Sequence, residues 1–258
     1  MTHRRALTGC IAVCFIASLI LPGTLPAQEE EPPHWGYEGE HGPVHWADMN
    51  EDFALCAEGD AQSPIDVTGA TALDLSNIMF HYGETPLAVS NNGHTIQVNV
   101  EAGSSISYNA RDYELLQFHF HHPSEHTVDG APAPMELHLV HRAADGDLAV
   151  VGVLLTADGD ANDAYSPIFD HLPAEAEAVE MTDLTLAIAD LLPATTTFTT
   201  YSGSLTTPPC SEGVRWLLLN TPVALGEAQV EAFSGLFELN ARPVQPLNAR
   251  DLLEDAGA

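Results

Sequence analysis

Lysine is absent from this 258-residue chain, and its seven arginines stand against 37 acidic residues, which gives a formal net charge of −30. A surface so poor in cations repels polyanions, so the composition argues against binding to nucleic acid or to an anionic membrane. Two interpretations of the acidity remain open. It fits adaptation to high salt, which screens the self-repulsion, and it also fits an ordinary acidic exported protein.

Cysteine is scarce as well, with four residues in the chain, and Cys10 and Cys14 fall in an N-terminal leader. A short basic start, an apolar run over 6–21 and a cleavage site at 25–27 are typical of a secretory signal, so we predict that residues 1–27 are a signal peptide. The protein is then exported, to the periplasm or the medium. An uncleaved anchor is the alternative, but the apolar run is short for a span of about 20 residues, so we expect no stable membrane insertion after leader removal.

The two remaining cysteines are Cys56 and Cys210. One even pair in an exported chain predicts a single disulfide, and two separate buried thiols are the alternative. No Pro/Ser-rich linker and no internal repeat divides the chain. We therefore predict an acidic, flexible N-terminus over 28–33, followed by one catalytic domain over 34–253.

Turn residues recur at short intervals between alternating apolar runs, which predicts many strands joined by turns. The predicted strands are 86–90, 95–101, 104–109, 114–121, 135–142, 147–155 and 214–219. The run 148–155 is nearly all apolar, which favours a central strand covered on both faces. The predicted helices are 48–54, 161–171, 183–190 and 226–235, with Asn162 as a cap of the second and Gly226 before the last.

Two segments of alternating sequence carry the most specific chemical signal. In a strand over 117–121, His119 and His121 project from one face, and His138 can join them from a neighbouring strand over 136–141. Three imidazoles and one open position form the ligand set of a catalytic zinc site. Gln117 and Glu136 each stand two residues before a histidine, where they can accept the hydrogen bond of its second nitrogen. The alternative is that these histidines are ordinary polar residues of a half-buried sheet.

Seven stretches of the chain match one family in their order and spacing. They are 34–37 (HWGY), 62–66 (QSPID), 92–94 (NGH), 117–121 (QFHFH), 124–128 (SEHTV), 136–141 (ELHLVH) and 201–209 (YSGSLTTPP). On these stretches, the chain resembles an α-class carbonic anhydrase of the secreted bacterial type, from about His34 to about Arg250. The resemblance implies a β-dominated α+β fold, with a large, twisted, mostly antiparallel sheet, a few short peripheral helices and a metal at the bottom of a conical cleft.

The resemblance also implies the reaction. Zn²⁺ on His119, His121 and His138 would generate hydroxide near neutral pH, and that hydroxide would attack CO2 to give bicarbonate and a proton. By the same resemblance, Thr206 accepts the proton of the hydroxide in a hydrogen bond and donates its own to Glu125, since a carboxylate can only accept. In isolation, Thr206 and Thr207 would suggest an ordinary turn before the two prolines.

Further roles follow from the resemblance alone. His94 is the expected proton shuttle, because a histidine pKa lies near neutrality, although a solvent-exposed turn histidine is the alternative. Tyr37, Asn92 and Gln97 would order water between the metal and His94. Secreted relatives often bridge the positions of Cys56 and Cys210, and some form homodimers. The expected lining of the CO2 and bicarbonate site consists of Val140, Val150, Leu205, Thr206, Thr207, Val214 and Trp216.

Two other classes of function compete with this prediction. A non-catalytic binding or adhesion module of the same family would typically have lost one of the three histidines. A zinc hydrolase acting on another substrate lacks support, because the chain has no H-E-x-x-H motif. Zinc is the expected metal, although cobalt or iron also suits three histidines.

Overall fold

The computed structural model describes residues 34–175 and 178–257, and for residues 178–182 it describes the backbone alone. The predicted signal peptide (1–27) and the predicted acidic N-terminus (28–33) lie outside the described residues. No helix in the described part of the chain is both long enough and apolar enough to cross a membrane.

A large sheet of twelve strands dominates the structure, and most of its strand pairs are antiparallel. Its central path runs β12-β4-β5-β7-β10-β11-β14-β13-β15-β2. Off this path, β6 pairs with β7 and β3 pairs with β6, while β1, β8 and β9 form a small second sheet. The strands are β1 Asp66–Val67, β2 Thr71–Leu73, β3 Met79–His81, β4 Glu84–Asn91, β5 Ile96–Asn99, β6 Ser105–Tyr108, β7 Arg111–His121, β8 Thr127–Val128, β9 Ala131–Pro132, β10 Met135–Ala143, β11 Leu148–Gly159, β12 Ala178–Ala187, β13 Phe198–Ser204, β14 Glu212–Gly226 and β15 Leu253–Asp255.

The predicted β-dominated α+β class is confirmed, and each of the seven predicted strands corresponds to an observed one. β11 extends to Gly159 and lies between β10 and β14, so the prediction of a central strand is confirmed. Its pairing with β14 is parallel, which makes the sheet mixed at this point.

Helices are few, short and peripheral, as predicted. The predicted helix 226–235 is confirmed as α4, whereas 48–54 divides into separate short pieces and 161–171 contains only the single turn α3. Asn162 caps the turn before α3 by accepting from the backbone N–H of Ala164 at 3.1 Å. The helices are α1 Trp46–Met49, α2 Leu55–Glu58, α3 Ser166–Phe169 and α4 Glu227–Ser234, with 3-10 turns at Gly39–His41, Pro43–His45, Glu51–Phe53 and Ile188–Leu191.

The prediction of a helix over 183–190 is wrong. Most of this segment belongs to β12, which pairs with β4 and places Thr185 opposite Pro86, and only its end forms a 3-10 turn. Leu184, Leu186 and Ile188 recur with a period of two, so the more buried positions follow the pleat of a strand. Pairing with β4 satisfies the backbone here, and it overrides the weak helical preference of the sequence.

Alternation along β7 separates the core from the site. Phe118 and Phe120 are fully buried on one face of the sheet, where Phe120 packs against Phe169 of α3 and Phe233 of α4. Burial of each such side chain contributes about 1.5–3 kcal/mol. The phenylalanines therefore fix the register of β7, and a slip by one residue would move its histidines into the core.

A second apolar cluster lies on the histidine-bearing side of the sheet and contains Tyr201 and Trp216. Gly203 stands where these rings crowd the backbone: an added Cβ would clash with Ser63 Oγ and would lie 2.7 Å from the ring of Tyr201. Only glycine fits this close approach. The last residues of β13 therefore lie tight against the core immediately before Thr206.

The predicted disulfide between Cys56 and Cys210 is present, with the two Cα atoms 5.1 Å apart. It joins α2 to the turn that follows β13, across 154 residues of sequence. Trp46 and Phe53 bury it in a small third cluster. The bond therefore fastens the N-terminal helical segment to the turn that carries Thr206 and Thr207.

Candidate metal centre

β7 and β10 bring the three predicted metal ligands together. His138 pairs directly with His119 across the two strands, and His121 follows two residues later on the same face. The ring centroids of His121 and His138 are 4.5 Å apart, and each residue of the trio offers one nitrogen within 4.8 Å of the others. His121 and His138 are buried and His119 is partly so. Strand pairing thus delivers three convergent nitrogens.

Each histidine has an oxygen beside its second nitrogen. Gln117 Oε1 lies 2.9 Å from Nδ1 of His119, and Glu136 Oε1 lies 2.9 Å from Nε2 of His138. These contacts leave Nε2 of His119 and Nδ1 of His138 to face the centre. Gln117 and Glu136 therefore lie where the sequence predicts them, each with an oxygen beside one nitrogen of a histidine. The outer partners of metal ligands typically take this position.

Sequence analysis did not find the oxygen that lies beside the second nitrogen of His121. Its Nδ1 lies 2.7 Å from the backbone oxygen of Asn240, and its Nε2 is buried without a hydrogen-bond partner among the described residues. Asn240 is fully buried, and its Nδ2 also donates to the backbone oxygens of His94 and Phe120, both at 3.0 Å. No local signal could have found it, because the contact spans 119 residues.

The centre favours neutral imidazole at two of the three positions. Burial lowers the pKa of His119 well below its ordinary value, and the nearby His121 and His138 lower it further. Burial also lowers the pKa of His121, against the opposing effect of Glu125. Burial lowers the pKa of His138 too, but the Glu136 carboxylate outweighs this and raises it. A metal at His138 must therefore compete with a proton, as imidazole ligands generally require.

Glu136 is the centre of a buried polar network behind His138. Burial raises its pKa, but His126 and His138 reverse this and hold the pKa well below its ordinary range. Its Oε2 accepts from the backbone N–H groups of Glu125 and His126 at 2.9 and 2.8 Å, and its Oε1 lies 2.7 Å from His126 Nδ1. His126 Nε2 lies 2.6 Å from the Tyr201 hydroxyl, which bonds Ser63 Oγ. With so many donors, Glu136 stays an ionised acceptor.

His126, Glu136 and His138 also form a second group that could hold a metal. In that group, however, Glu136 Oε1 already lies within 2.9 Å of both imidazoles. Only the first trio contains His121, whose Nε2 is buried without a hydrogen-bond partner among the described residues. The donor set of the first trio is therefore the one that fits a metal ion.

Glu125 lies against the centre, but the structure does not join it to Thr206. Its Oε1 accepts from the backbone N–H of Arg242 at 2.9 Å. Its Oε2 is buried, has no hydrogen-bond partner among the described residues, and lies 3.6 Å from His121 Nε2 and 3.9 Å from His138 Nδ1. No hydrogen bond links the described residues Thr206 and Glu125, so the predicted pairing stays a prediction. An unused acceptor nevertheless faces the centre.

Thr206 and Thr207 begin the turn that follows β13. The backbone oxygen of Thr207 accepts from Cys210 at 2.8 Å, and the peptide bond between Pro208 and Pro209 is cis. Thr206 is buried and Thr207 is partly exposed. The two residues thus border the turn that the disulfide holds.

The five apolar residues predicted to line the substrate site form one cluster. Val150, Val214 and Trp216 are buried in it, and Val140 and Leu205 pack against them. The ring of Trp216 lies 4.8 Å from that of His138. An apolar wall therefore adjoins the histidines, as a small neutral ligand requires.

His94 stacks on Trp35, with ring centroids 3.8 Å apart and planes 5° apart. Partial burial lowers its pKa, and the neighbouring His34 lowers it further. The side-chain oxygen of Asn92 accepts from the backbone N–H of His94 at 2.9 Å, which fixes the turn. The shuttle candidate is thus a half-buried ring at the N-terminal segment.

The other two residues expected to order water are Gln97 and Tyr37. Gln97 pairs with His119 across β5 and β7, and its Nε2 donates to Asn99 Oδ1 at 2.8 Å. Burial raises the pKa of Tyr37 well above its ordinary value, and the charge of Glu125 adds to this effect. Tyr37 therefore stays protonated and can donate.

Comparison with known proteins points to one family. The sequence model of eukaryotic-type carbonic anhydrases matches residues 41–255. A carbonic anhydrase of Nostoc sp. is 47% identical over 227 residues, 86% of each chain, and one of Pectobacterium atrosepticum is 39% identical over 240 residues, 93% of this chain and 98% of the relative. The α-carbonic anhydrase of Thermovibrio ammonificans, solved with the inhibitor sulfanilamide, superposes with a TM-score of 0.83 at 40% identity, covering 85% of this chain and 98% of that one.

Proposed function

Because this chain belongs to the eukaryotic-type, or α, carbonic anhydrase family and is thus an enzyme of the lyase type, we propose that it binds Zn²⁺ and interconverts CO2 and bicarbonate. In the proposed reaction, a metal-activated water attacks CO2 and a histidine serves as the proton shuttle. The observation that carries the proposal is the convergence of three imidazole nitrogens within 4.8 Å of one another. The unpartnered Nε2 of His121 supports a metal there, since buried polar atoms otherwise find partners. His119, His121 and His138 would hold the ion.

Bound Zn²⁺ would supply a nucleophile at neutral pH by lowering the pKa of a water molecule to about 7. The protein must then orient that water. Thr206 would accept a hydrogen bond from that water when its own hydroxyl donates to another acceptor. Glu125 Oε2, which is buried without a hydrogen-bond partner among the described residues, suits this role. The apolar cluster around Val140, Val214 and Trp216 would hold neutral CO2, while Thr207 would contact bicarbonate.

Regeneration of the site requires the export of a proton, for which His94 is the proposed carrier. We expect His94→Ala to slow turnover in weak buffer by at least about tenfold, within the range that a positioned acid–base group contributes. Added imidazole should restore the rate, because it replaces the missing base. Stopped-flow hydration at two buffer strengths measures both effects.

His81→Ala is the matched control, because His81 is exposed and bonds only Ser107 among the described residues. The shuttle role is wrong if His94→Ala and His81→Ala turn over equally fast in weak buffer.

The test of the function itself is CO2 hydration by the purified mature chain, before and after chelation and after zinc is added back. We expect hydration to disappear on chelation and to return with one zinc per chain. Binding of sulfanilamide only to the zinc-loaded form would place the inhibitor on the metal, as a third readout. Tight zinc binding without hydration would contradict the proposed reaction and leave the metal site standing.

We also propose that the protein is exported and acts in the periplasm or the medium, without stable membrane insertion and possessing no affinity for nucleic acid. The leader-like sequence of residues 1–27, the disulfide between Cys56 and Cys210 and the acidic composition support this. Adaptation to high salt and a homodimer are further proposals. Unfolding against NaCl concentration and sedimentation of the mature chain test them.

A further inference from the structure

Arg242 is a buried cation outside the proposed reaction, and it lies in a stretch without regular structure. Its side chain is 2% exposed, and residues 239–247 form neither helix nor strand. Backbone bonds fasten this stretch at Asn240 and at Gln245. Between those points, the side chain of Arg242 anchors the backbone.

The guanidinium group of Arg242 binds three oxygens from two other segments. Nη1 donates to Gln62 Oε1 at 2.9 Å and to the backbone oxygen of Ser63 at 2.8 Å, and Nη2 donates to the backbone oxygen of Cys56 at 2.7 Å. The indole of Trp46 lies 5.7 Å away. Burial lowers the pKa of Arg242 to about 10, so the fork remains charged at neutral pH. Lysine could not reproduce this planar set of bonds.

These bonds reach the turn that carries Thr206 by two routes. The amide of Gln62 accepts from Arg242 and donates to the backbone oxygen of Cys210 at 3.0 Å. Cys56, whose backbone oxygen Arg242 also binds, is joined to Cys210 by the disulfide. The backbone N–H of Cys210 then donates to Thr207. The turn is therefore linked to Arg242 in two ways, through Gln62 and through the disulfide.

The main chain of Arg242 holds the other member of the proposed pair. Its N–H donates to Glu125 Oε1 at 2.9 Å, which directs Oε2 toward the histidines. One residue thus contacts the Glu125 carboxylate through its backbone and the segments that hold the Thr206 turn through its side chain. Reactive groups lose rate steeply when a neighbour is misplaced by about 1 Å.

We propose that Arg242, acting with Gln62, is a positioning residue that sets the Glu125 carboxylate against the Thr206 turn. The role rests on the proposed function, because the pair matters only if Thr206 orients the nucleophile. Arg242 does not touch the reacting atoms. Its loss should therefore impair attack on CO2 and spare both metal retention and proton export.

The test compares Arg242→Lys and Gln62→Met with wild type, and uses Arg142→Lys as a matched control at an exposed arginine. We expect kcat/KM for hydration to fall roughly tenfold in the first two variants. Their kcat in strong buffer and their rate of zinc release should stay within about twofold of wild type. The double variant should lose little more than Arg242→Lys alone, because that change already interrupts both routes, including the one through Gln62.

A measurement on the metal-free proteins does not depend on activity. Reduction of the disulfide by dithiothreitol under native conditions should be roughly tenfold faster in Arg242→Lys and Gln62→Met, since each loosens one side of the Cys56–Cys210 link. If Arg242→Lys does not fold, Gln62→Met decides the matter.

Wild-type kcat/KM in both variants would overturn the role of Arg242. The role would also be overturned if the rate of zinc release rose by the same factor by which kcat/KM fell. Reduction rates equal to that of Arg142→Lys would also overturn it. A wild-type protein that hydrates no CO2 would instead defeat the proposed function, while the reduction rates would still decide whether Arg242 holds the turn.

Discussion

Zinc binding is expected to weaken by more than about 100-fold in His119→Ala, because a lost ligand should cost more than the 10- to 100-fold typical of a lost outer partner. His119 offers Nε2 to the centre while Gln117 holds its Nδ1. Without it, two imidazoles remain, one fewer than a catalytic zinc site uses. Hydration should fall to the background rate. Chelator competition and metal content measure the binding, and stopped flow measures the rate.

The second group that could hold a metal supplies the matched control. Both groups contain His138, but only the first includes His119 and only the second includes His126. His126→Gln should therefore retain one zinc per chain, with affinity lowered about 10- to 100-fold because Glu136 loses a partner. Stoichiometric zinc in His119→Ala together with none in His126→Gln would move the centre to the second group.

Thr206→Val is expected to lower kcat/KM for CO2 hydration roughly 100-fold, the scale that one lost hydrogen-bonding group at a reacting centre commands. Valine keeps the shape of threonine and removes the hydroxyl that would accept a hydrogen bond from the nucleophile. Zinc content should not change, since the three imidazoles that would hold the metal are all retained. Thr206→Ser, which restores a hydroxyl, should recover most of the rate.

Glu125→Gln tests the direction of the same hydrogen bond. The amide keeps the size of the carboxylate but can present N–H groups, so it no longer forces Thr206 to donate toward it. We expect a fall in kcat/KM comparable to that of Thr206→Val, and little further loss in the double variant. Additive losses would mean that Glu125 and Thr206 act separately. Rates within twofold of wild type in Thr206→Val would reduce Thr206 to an ordinary turn residue.

Alternation in the sequence was sufficient to predict the strands that carry the proposed metal ligands. A period of two over 117–121 and 136–141 places His119, His121 and His138 on one face, and the buried apolar residues that alternate with them fix that register. The pairing of His138 with His119 needed the structure for proof, but neighbouring strands of this kind are favoured to pair. Gln117 and Glu136 followed from the same period.

Where local preference and tertiary pairing disagreed, pairing prevailed. The sequence of 183–190 predicted a helix. In the structure, most of this segment pairs with β4, and the ladder between the two strands forms backbone hydrogen bonds that a short exposed helix would have left to water. A prediction from a short stretch of sequence cannot account for a strand that pairs with that stretch from elsewhere in the chain.

The β-rich class, the three convergent histidines, the oxygen partners of His119 and His138 on the same strands, and the cysteine pair could all be predicted from the sequence, because each depends on a short-range period or on a count. The fold was needed to show that Asn240 lies against His121 and that Arg242 binds Glu125 and the segments beside the disulfide. It was also needed to show that Glu125 Oε2 faces the centre without a hydrogen-bond partner among the described residues. The contacts of Asn240 and Arg242 join residues more than one hundred positions apart in the chain. Their partners are selected by the packing of the whole sheet, for which no local pattern in the sequence carries a signal.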